Sequence, residues 1–306
     1  MSITEQIAAT HLGKKSAGSE YYDKSLLVAV PRVENRQQYD IEEDKLPFVG
    51  CDVWNAYEFS SMTDRGIPYT RVLKLRYPCN NPVIVESKSL KLYLNSFNMS
   101  RFGRTVEEGL SICKDIIERD LSEKLQTRVE AEFLNTESPR AAIFSDYQEL
   151  STLTNYLEIE NITKFKEAPE DLRIDVSRTS ATPVAHKLSF DSLRSTCLIT
   201  KQPDFARVFI YYKSKKLIDE KSLIQYLVSF RNEHHFHEQV VEMMFSRLHT
   251  LLDDPEDQLM IVALYTRRGG IDINPVRYTA NCDLGVLVDV TKLENLKLYT
   301  RGNICQ

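Results

Sequence analysis

Lys221-Ser222-Leu223-Ile224-Gln225-Tyr226-Leu227-Val228-Ser229-Phe230 repeats Lys88-Ser89-Leu90-Lys91-Leu92-Tyr93-Leu94-Asn95-Ser96-Phe97 with Lys, Ser, Leu, Tyr, Leu, Ser and Phe in register. Agreement over so short a window is improbable by chance. Each copy follows a strand candidate, at Val72 to Tyr77 and at Val208 to Tyr212, and precedes an amphipathic helix. The first of these helices spans residues 105 to 126: Thr105-Val106-Glu107-Glu108 is a capping box, and Val106, Leu110, Cys113, Ile117 and Leu121 share one face. The second is marked by Val240, Val241, Met244, Phe245, Leu248 and Leu252. Sequential strands followed by helices predict an α+β fold with antiparallel sheets, duplicated along the chain as 1–145 and 146–306.

Outward from the repeat, Gly50 to Phe59 places apolar or aromatic residues at 51, 53, 57 and 59, a strand period of two that Trp54 interrupts. Val129 to Leu134 and Leu259 to Tyr265 read as further strands, and Pro78 to Pro82 as a turn. Leu26 to Val33 reads as an extended entry, preceded by a weakly anchored polar arm over 1–24. The 306 residues carry 42% hydrophobic side chains and a net charge of −5. Without a long Lys/Arg run, stable nucleic-acid binding is not expected. The absence of a secretory pattern and of an apolar span predicts a soluble, cytoplasmic protein with no membrane partner. Cys51, Cys79, Cys113, Cys197, Cys282 and Cys305 are scattered without metal-ligand spacing, so reduced thiols and no structural zinc are expected.

Four stretches carry candidate chemistry. Ser195 to Asp204 sets Cys197 and Asp204 at the ends of a short apolar run. A thiol is nucleophilic as the thiolate, and Asp204 serves as proton shuttle if a turn at Pro203 folds it back; a structural role for a cysteine beside Leu198 and Ile199 is the other reading. Glu86-Ser87-Lys88 offers an acceptor, a hydroxyl and an ammonium at a strand mouth, suited to a phosphorylated or purine-like ligand, or else forms one face of a solvated helix. In Arg231 to Glu238, three histidines occupy four positions, but no further ligand has metal spacing. His237 can exchange a proton and Glu238 can accept two parallel N–H bonds from a guanine-like edge, although Glu238 is also favourable simply as a helix N-terminal acid. Arg267-Arg268-Gly269-Gly270 suits a dinucleotide's phosphates or a plain hairpin turn, and no Rossmann or P-loop sequence is present.

These residues together resemble the NADPH-dependent 7-cyano-7-deazaguanine reductases, the nitrile reductases of queuosine biosynthesis, in their long two-module form. Glu86-Ser87-Lys88-Ser89-Leu90-Lys91-Leu92-Tyr93 resembles the family signature and Cys197-Leu198-Ile199-Thr200-Lys201-Gln202-Pro203-Asp204 its nucleophile segment. Phe236-His237-Glu238, Arg267 to Pro275 and Trp54 to Glu58 extend the likeness, which is weakest over 1–24 and about 135–185. Phe205-Ala206-Arg207 departs from the Trp-Gly that many relatives carry after the acid. The resemblance implies tandem tunnelling-fold modules, antiparallel sheets with helices on one face, assembled as a homodimer, with the active site where modules meet. It implies Cys197 as nucleophile forming a thioimidate, Asp204 as proton shuttle and His237 as a later proton source. Val85, Glu86, Ser87, His237 and Glu238 are expected to hold 7-cyano-7-deazaguanine, and Ser87, Lys88, Arg268 and Gly269 to contact NADPH, two hydrides being required per nitrile. A hydrolase resolving the same adduct with water, or a non-catalytic purine-binding module, would use part of this set.

Overall fold

The computed structural model describes residues 19–159, 161–198, 200–283 and 285–303. Eight strands form one sheet: β1 (Val49–Met62), β2 (Pro68–Pro78), β3 (Glu130–Leu134), β4 (Gln148–Glu149), β5 (Val184–Thr196), β6 (Pro203–Ser214), β7 (Gln258–Tyr265) and β8 (Ile271–Tyr278). Their spatial order is β3-β2-β1-β8-β7-β6-β5-β4. Every pairing is antiparallel except the short one between β4 and β5. The two halves of the chain meet at β1 and β8, where Trp54 faces Ile273 and Asn55 faces Asp272. The helices are α1 (Val33–Gln38), α2 (Ser87–Asn95), α3 (Val106–Leu125), α4 (Glu220–Ser229), α5 (His237–Leu252) and α6 (Val288–Glu294). Each half therefore runs hairpin, helix, helix, and then one strand in the first half and two in the second, and the first strand of each hairpin carries a register shift, at Ala56/Phe59 and at Phe190/Leu193.

The repeated decapeptides form α2 and α4, and what they share is packing. Ser89, Leu90, Tyr93, Leu94, Ser96 and Phe97 are buried in the first copy, and so are Ser222, Leu223, Tyr226, Leu227, Ser229 and Phe230 in the second. The serines close local bonds in both: Ser89 Oγ donates to Glu86 O at 2.7 Å and Ser222 Oγ to Asp219 O at 2.8 Å. Burying three large apolar side chains per helix at ~1.5–3 kcal/mol each is what docks it on the sheet. In α3, Thr105 Oγ1 accepts from Glu108 N, while Glu108 returns the bond to Arg104 N, one residue before the expected partner.

Alternation sorts the strands between faces. Val208, Ile210, Tyr212, Leu259, Ile261 and Ala263 point to a core with α4 and α5, and Trp54, Ala56, Leu73 and Ile273 to one with α2 and α3. Phe209, Tyr211, Met260, Val262 and Val53 face the other side. The long helices thus lie on one face as expected, but the opposite face is also covered at its centre, by Ile143, Phe144 and Tyr147 and by Val290 and Leu293 of α6. Trp54 interrupts the alternation of β1 because Cys51 to Ala56 are buried on both faces of a central strand.

Two expectations for the entry segment change. Of the arm, residues 1–18 lie outside the described residues, whereas Tyr22 is anchored, its hydroxyl donating to Asp120 Oδ2 at 2.5 Å. Only Ala29–Pro31 of the extended entry is a strand, paired with Val83–Val85, and α1 begins at Val33 because Arg32 and Arg36 turn inward to buried acids. Among the described residues no helix is long and apolar enough to cross a membrane, and Cys51, Cys79, Cys113, Cys197 and Cys282 are free thiols.

Candidate active site

The hairpin of β5 and β6 carries both ends of the nucleophile segment. Ser195 pairs with Asp204 and Thr196 with Pro203; beyond them Cys197 N donates to Gln202 O at 2.9 Å and Lys201 N to Cys197 O at 3.0 Å. Lys201 closes the turn in the left-handed region, φ 56°. The reversal therefore lies ahead of Pro203, and it returns Asp204 to the base of the Cys197 loop. Thr196 N donates to Glu233 O at 2.8 Å and His235 N to Thr196 O at 3.1 Å, a strand-like bridge that delivers the N-terminus of α5 beside the loop. There Gln239 Oε1 accepts from Phe236 N at 2.9 Å, so the helix opens at His237 and Glu238.

A cavity of ≈ 270 Å³ joins these parts to the first half of the chain. Of the expected site residues, Val85, Ser87, Lys88, Cys197, Asp204, His237, Glu238, Arg268 and Gly269 line it. Glu86 does not. Its buried carboxylate caps α2, accepting from Lys88 N at 2.9 Å and Ser89 N at 2.7 Å, and so orients Ser87 and Lys88 from behind. Trp54, Lys91, Thr200, Gln202, His235 and Phe236 also line the cavity and were not singled out as site residues from the sequence. Two had a signal: Trp54 breaks the alternation of its strand, and Lys91 stands one helical turn after Lys88. The three clustered histidines take separate partners: His234 contacts Thr196 Oγ1, His235 Nε2 lies 2.9 Å from Glu233, and His237 Nε2 lies 3.5 Å from Asp204 Oδ2.

Asp204 is the electrostatic centre of its side of the cavity. Burial pushes its carboxyl up, but the His237 contact and the charges of His237 and Arg268 outweigh that and hold it below the ordinary carboxylate range. Arg268 Nη1 donates to Asp204 Oδ1 at 2.8 Å, and its Nη2 reaches Thr200 Oγ1 at 2.7 Å and Gln202 Oε1. The His237 ring lies flat on Tyr265, centroids 3.7 Å apart and planes within 5°, which fixes the imidazole's orientation. Arg268 itself stands at a two-glycine hairpin turn, Gly269 φ 61° and Gly270 φ 79°, where a β-carbon on Gly270 would fall 2.4 Å from Glu58 Cδ.

Glu238, 1% exposed, has one oxygen, Oε1, buried without a protein partner. Burial first, and then the charge of Asp52, raise its carboxyl to about 8, against the opposing charges of Arg32 and Arg277. One turn on, Glu242 receives Arg36 at 2.8 Å, Arg277 at 2.8 Å and Arg32 at 3.3 Å, while Asp52 receives Arg32 at 2.6 Å and Arg277 at 2.8 Å. These five groups are buried and fully paired. The Glu238 oxygen thus sits in a cavity wall beside a saturated ion network with its hydrogen-bonding capacity unused by the protein.

The profile described as "Nitrile reductase, 7-cyano-7-deazaguanine-reductase N-term" matches residues 19–133, and that of "QueF-like protein" matches residues 203–283. Proteins named NADPH-dependent 7-cyano-7-deazaguanine reductase match along nearly their whole length. That of Acidovorax ebreus is 40% identical over 272 residues (88% of this chain, 92% of the relative), and that of Colwellia psychrerythraea 36% identical over 272 residues (89% and 92%). The relative from Desulfotalea psychrophila is 38% identical over 279 residues, covering 90% of this chain and 95% of its own. The chain belongs to the 7-cyano-7-deazaguanine reductase family. Members of this reductase family carry NADPH dependence in their name, and the residues present fit such a dinucleotide. Ser87, Lys88 and Lys91 put a hydroxyl and two ammonium groups on one wall, and Gly269 leaves the space beside Lys91 open: a β-carbon there would sit 3.1 Å from Lys91 Nζ.

Proposed function

We propose that the protein reduces the nitrile of 7-cyano-7-deazaguanine to the aminomethyl group through a covalent thioimidate on Cys197, a step of queuosine synthesis. The observation that carries this reading is that Cys197, Asp204 and His237 line one cavity together with Ser87 and Lys88, with the orphaned Glu238 oxygen in its wall. Glu238 accepts the guanine-like N–H edge, and Trp54 and Phe236 enclose the ring system. Cys197 adds its sulfur to the nitrile carbon, breaking one C≡N π bond; Asp204 takes the thiol proton and passes it to nitrogen. No electron is gained or lost in that step. NADPH, when bound, would supply two hydride equivalents, one from each of two molecules; the C–S bond to Cys197 breaks between them, returning the thiolate, and the carbon reaches the amine level. Ser87, Lys88, Lys91 and the Gly269 turn hold it, and His237, its plane fixed by Tyr265, donates the later proton.

The same reading takes the halves 1–145 and 146–306 as two tunnelling-fold modules, supported by the repeated hairpin–helix–helix–strand order, and expects a cytoplasmic homodimer. Residues of both halves line the cavity, so neither module is active alone. Intact mass spectrometry of the protein with 7-cyano-7-deazaguanine and no NADPH tests the proposal. One adduct per chain is expected, absent from Cys197→Ala and retained when the other cysteines are replaced. An adduct that survives Cys197→Ala overturns it. Nitrile-dependent loss of NADPH absorbance separates reduction from hydrolysis.

A further inference from the structure

Arg268 is read from the sequence as a phosphate ligand, and an arginine with that role alone has no part in a step that precedes the dinucleotide. Its contacts point elsewhere. Both terminal nitrogens are engaged by the nucleophile segment: Nη1 by Asp204 Oδ1 at 2.8 Å, Nη2 by Thr200 Oγ1 at 2.7 Å and by Gln202 Oε1. Thr200 and Gln202 belong to the turn that opens at Cys197, and Gln202 O is the acceptor of Cys197 N. One guanidinium therefore ties the loop carrying the nucleophile to the carboxylate that receives its proton. The turn holding Arg268 is itself fixed, since Arg268 N donates to Ile271 O at 2.8 Å and Tyr57 N to Gly270 O at 2.8 Å.

We propose that Arg268 is a positioning residue for the covalent step: its guanidinium ties the Cys197 loop to Asp204 and holds that carboxylate in place to take the thiol proton. The proposal rests on the function given above, with Cys197 as nucleophile. A planar fork suits this task, because one arm meets the carboxylate while the other meets two neutral oxygens. The groups around Asp204 are Arg268 from the glycine turn, His237 from α5 and Tyr265 from β7, while Cys197, Glu238, Lys88 and Lys91 line the same cavity. Of these, His237 and Arg268 touch the carboxylate, and only Arg268 carries a permanent charge. Without it, only the His237 contact is left to oppose burial, so the Asp204 carboxyl moves upward and the base is lost at a pH where the native enzyme still has it.

The test measures the rate of adduct formation with 7-cyano-7-deazaguanine in the absence of NADPH, followed by mass spectrometry from pH 4.5 to pH 8. In Arg268→Met the acid limb of the profile moves up by about 1–3 pH units, the span an arginine imposes on a neighbouring carboxyl. The rate at pH 4.5, relative to each protein's own plateau, is then lower in Arg268→Met than in the native enzyme. Arg268→Lys keeps a charge beside Asp204 but cannot span both partners, so its acid limb stays near the native position while its plateau rate falls. Native profiles in both variants overturn the proposal and leave Arg268 a cofactor ligand. Should Arg268→Met not fold, Arg268→Lys decides: a native plateau overturns the proposal and a lowered plateau with a native limb supports it. If the unaltered protein forms no adduct, the function itself fails, an outcome distinct from a normal adduct that ignores Arg268.

Discussion

Replacing Glu238 by Gln is expected to stabilise the ligand-free protein while weakening its hold on substrate. The carboxyl goes from an ordinary 4.5 to about 8 in the fold, chiefly through burial and then through Asp52. Between those values the folded chain binds a proton that the unfolded chain has released. The stability this proton contributes is complete below pH 4.5 and is lost as pH rises to about 8. Each pH unit within the window costs about 1.4 kcal/mol, so ionising Glu238 removes about 4 kcal/mol between pH 5 and pH 8. Glutamine is neutral throughout and escapes that loss. Urea unfolding of both proteins at pH 5, 6, 7 and 8 should give free energies that diverge steadily in favour of Glu238→Gln. Substrate binding should behave in the opposite sense, because an amide cannot accept from both donors of the guanine-like edge. Unmatched buried donors cost ~1–3 kcal/mol, about tenfold or more in Kd. At pH 7 the native protein must also release about one proton on binding, visible by calorimetry in buffers of different ionisation enthalpy. Parallel stability profiles for the two proteins would refute this account of Glu238.

Glu242 should behave conversely: burial raises its carboxyl, but Arg277, Arg36 and Arg32 outweigh that and bring it to about 2, so its stabilisation is present above pH 4.5 and lost as pH falls towards 2. Glu242→Gln leaves Arg32 and Arg277 to Asp52 alone and Arg36 to Glu43, and should cost about 3–5 kcal/mol by urea unfolding at pH 7; an unchanged midpoint would show the network to be dispensable. Lys91→Ala, which removes an ammonium beside Gly269, should raise the KM for NADPH about tenfold while leaving the NADPH-free Cys197 adduct at its normal rate. A slowed adduct would place Lys91 in the covalent step instead.

The residues that define the two copies of the decapeptide were legible in the sequence because helix packing is local and periodic. Ser, Leu, Tyr, Leu, Ser and Phe recur at the positions that face the sheet, and capping needs only an acceptor a few residues away. The similarity between copies reports that packing. Ser87 and Lys88 line the cavity, whereas their counterparts in the second copy, Glu220 and Lys221, pair with Arg178 and Glu158 at the surface. The hairpin returning Asp204 to Cys197 was equally local, a reversal of a few residues, although its turn falls before Pro203.

What the tertiary structure decided was which charged groups are still available to a ligand. Glu86 and Glu238 each precede or begin a helix in the sequence, yet the first is consumed by capping α2 and the second keeps a buried oxygen free. Arg32, Asp52, Glu242 and Arg277 come from four separate stretches of the chain, and nothing in their neighbours distinguishes them from solvated surface charges. They become a buried network only when β8 pairs with β1 and α5 packs across β7 and β8. Arg268 reads as an exposed residue before two glycines, and its bond to Asp204 spans 64 positions. Hydrophobic period is written along the chain, but the partner of a charge is set by strand pairing across it, because a charge loses its water only where distant segments meet.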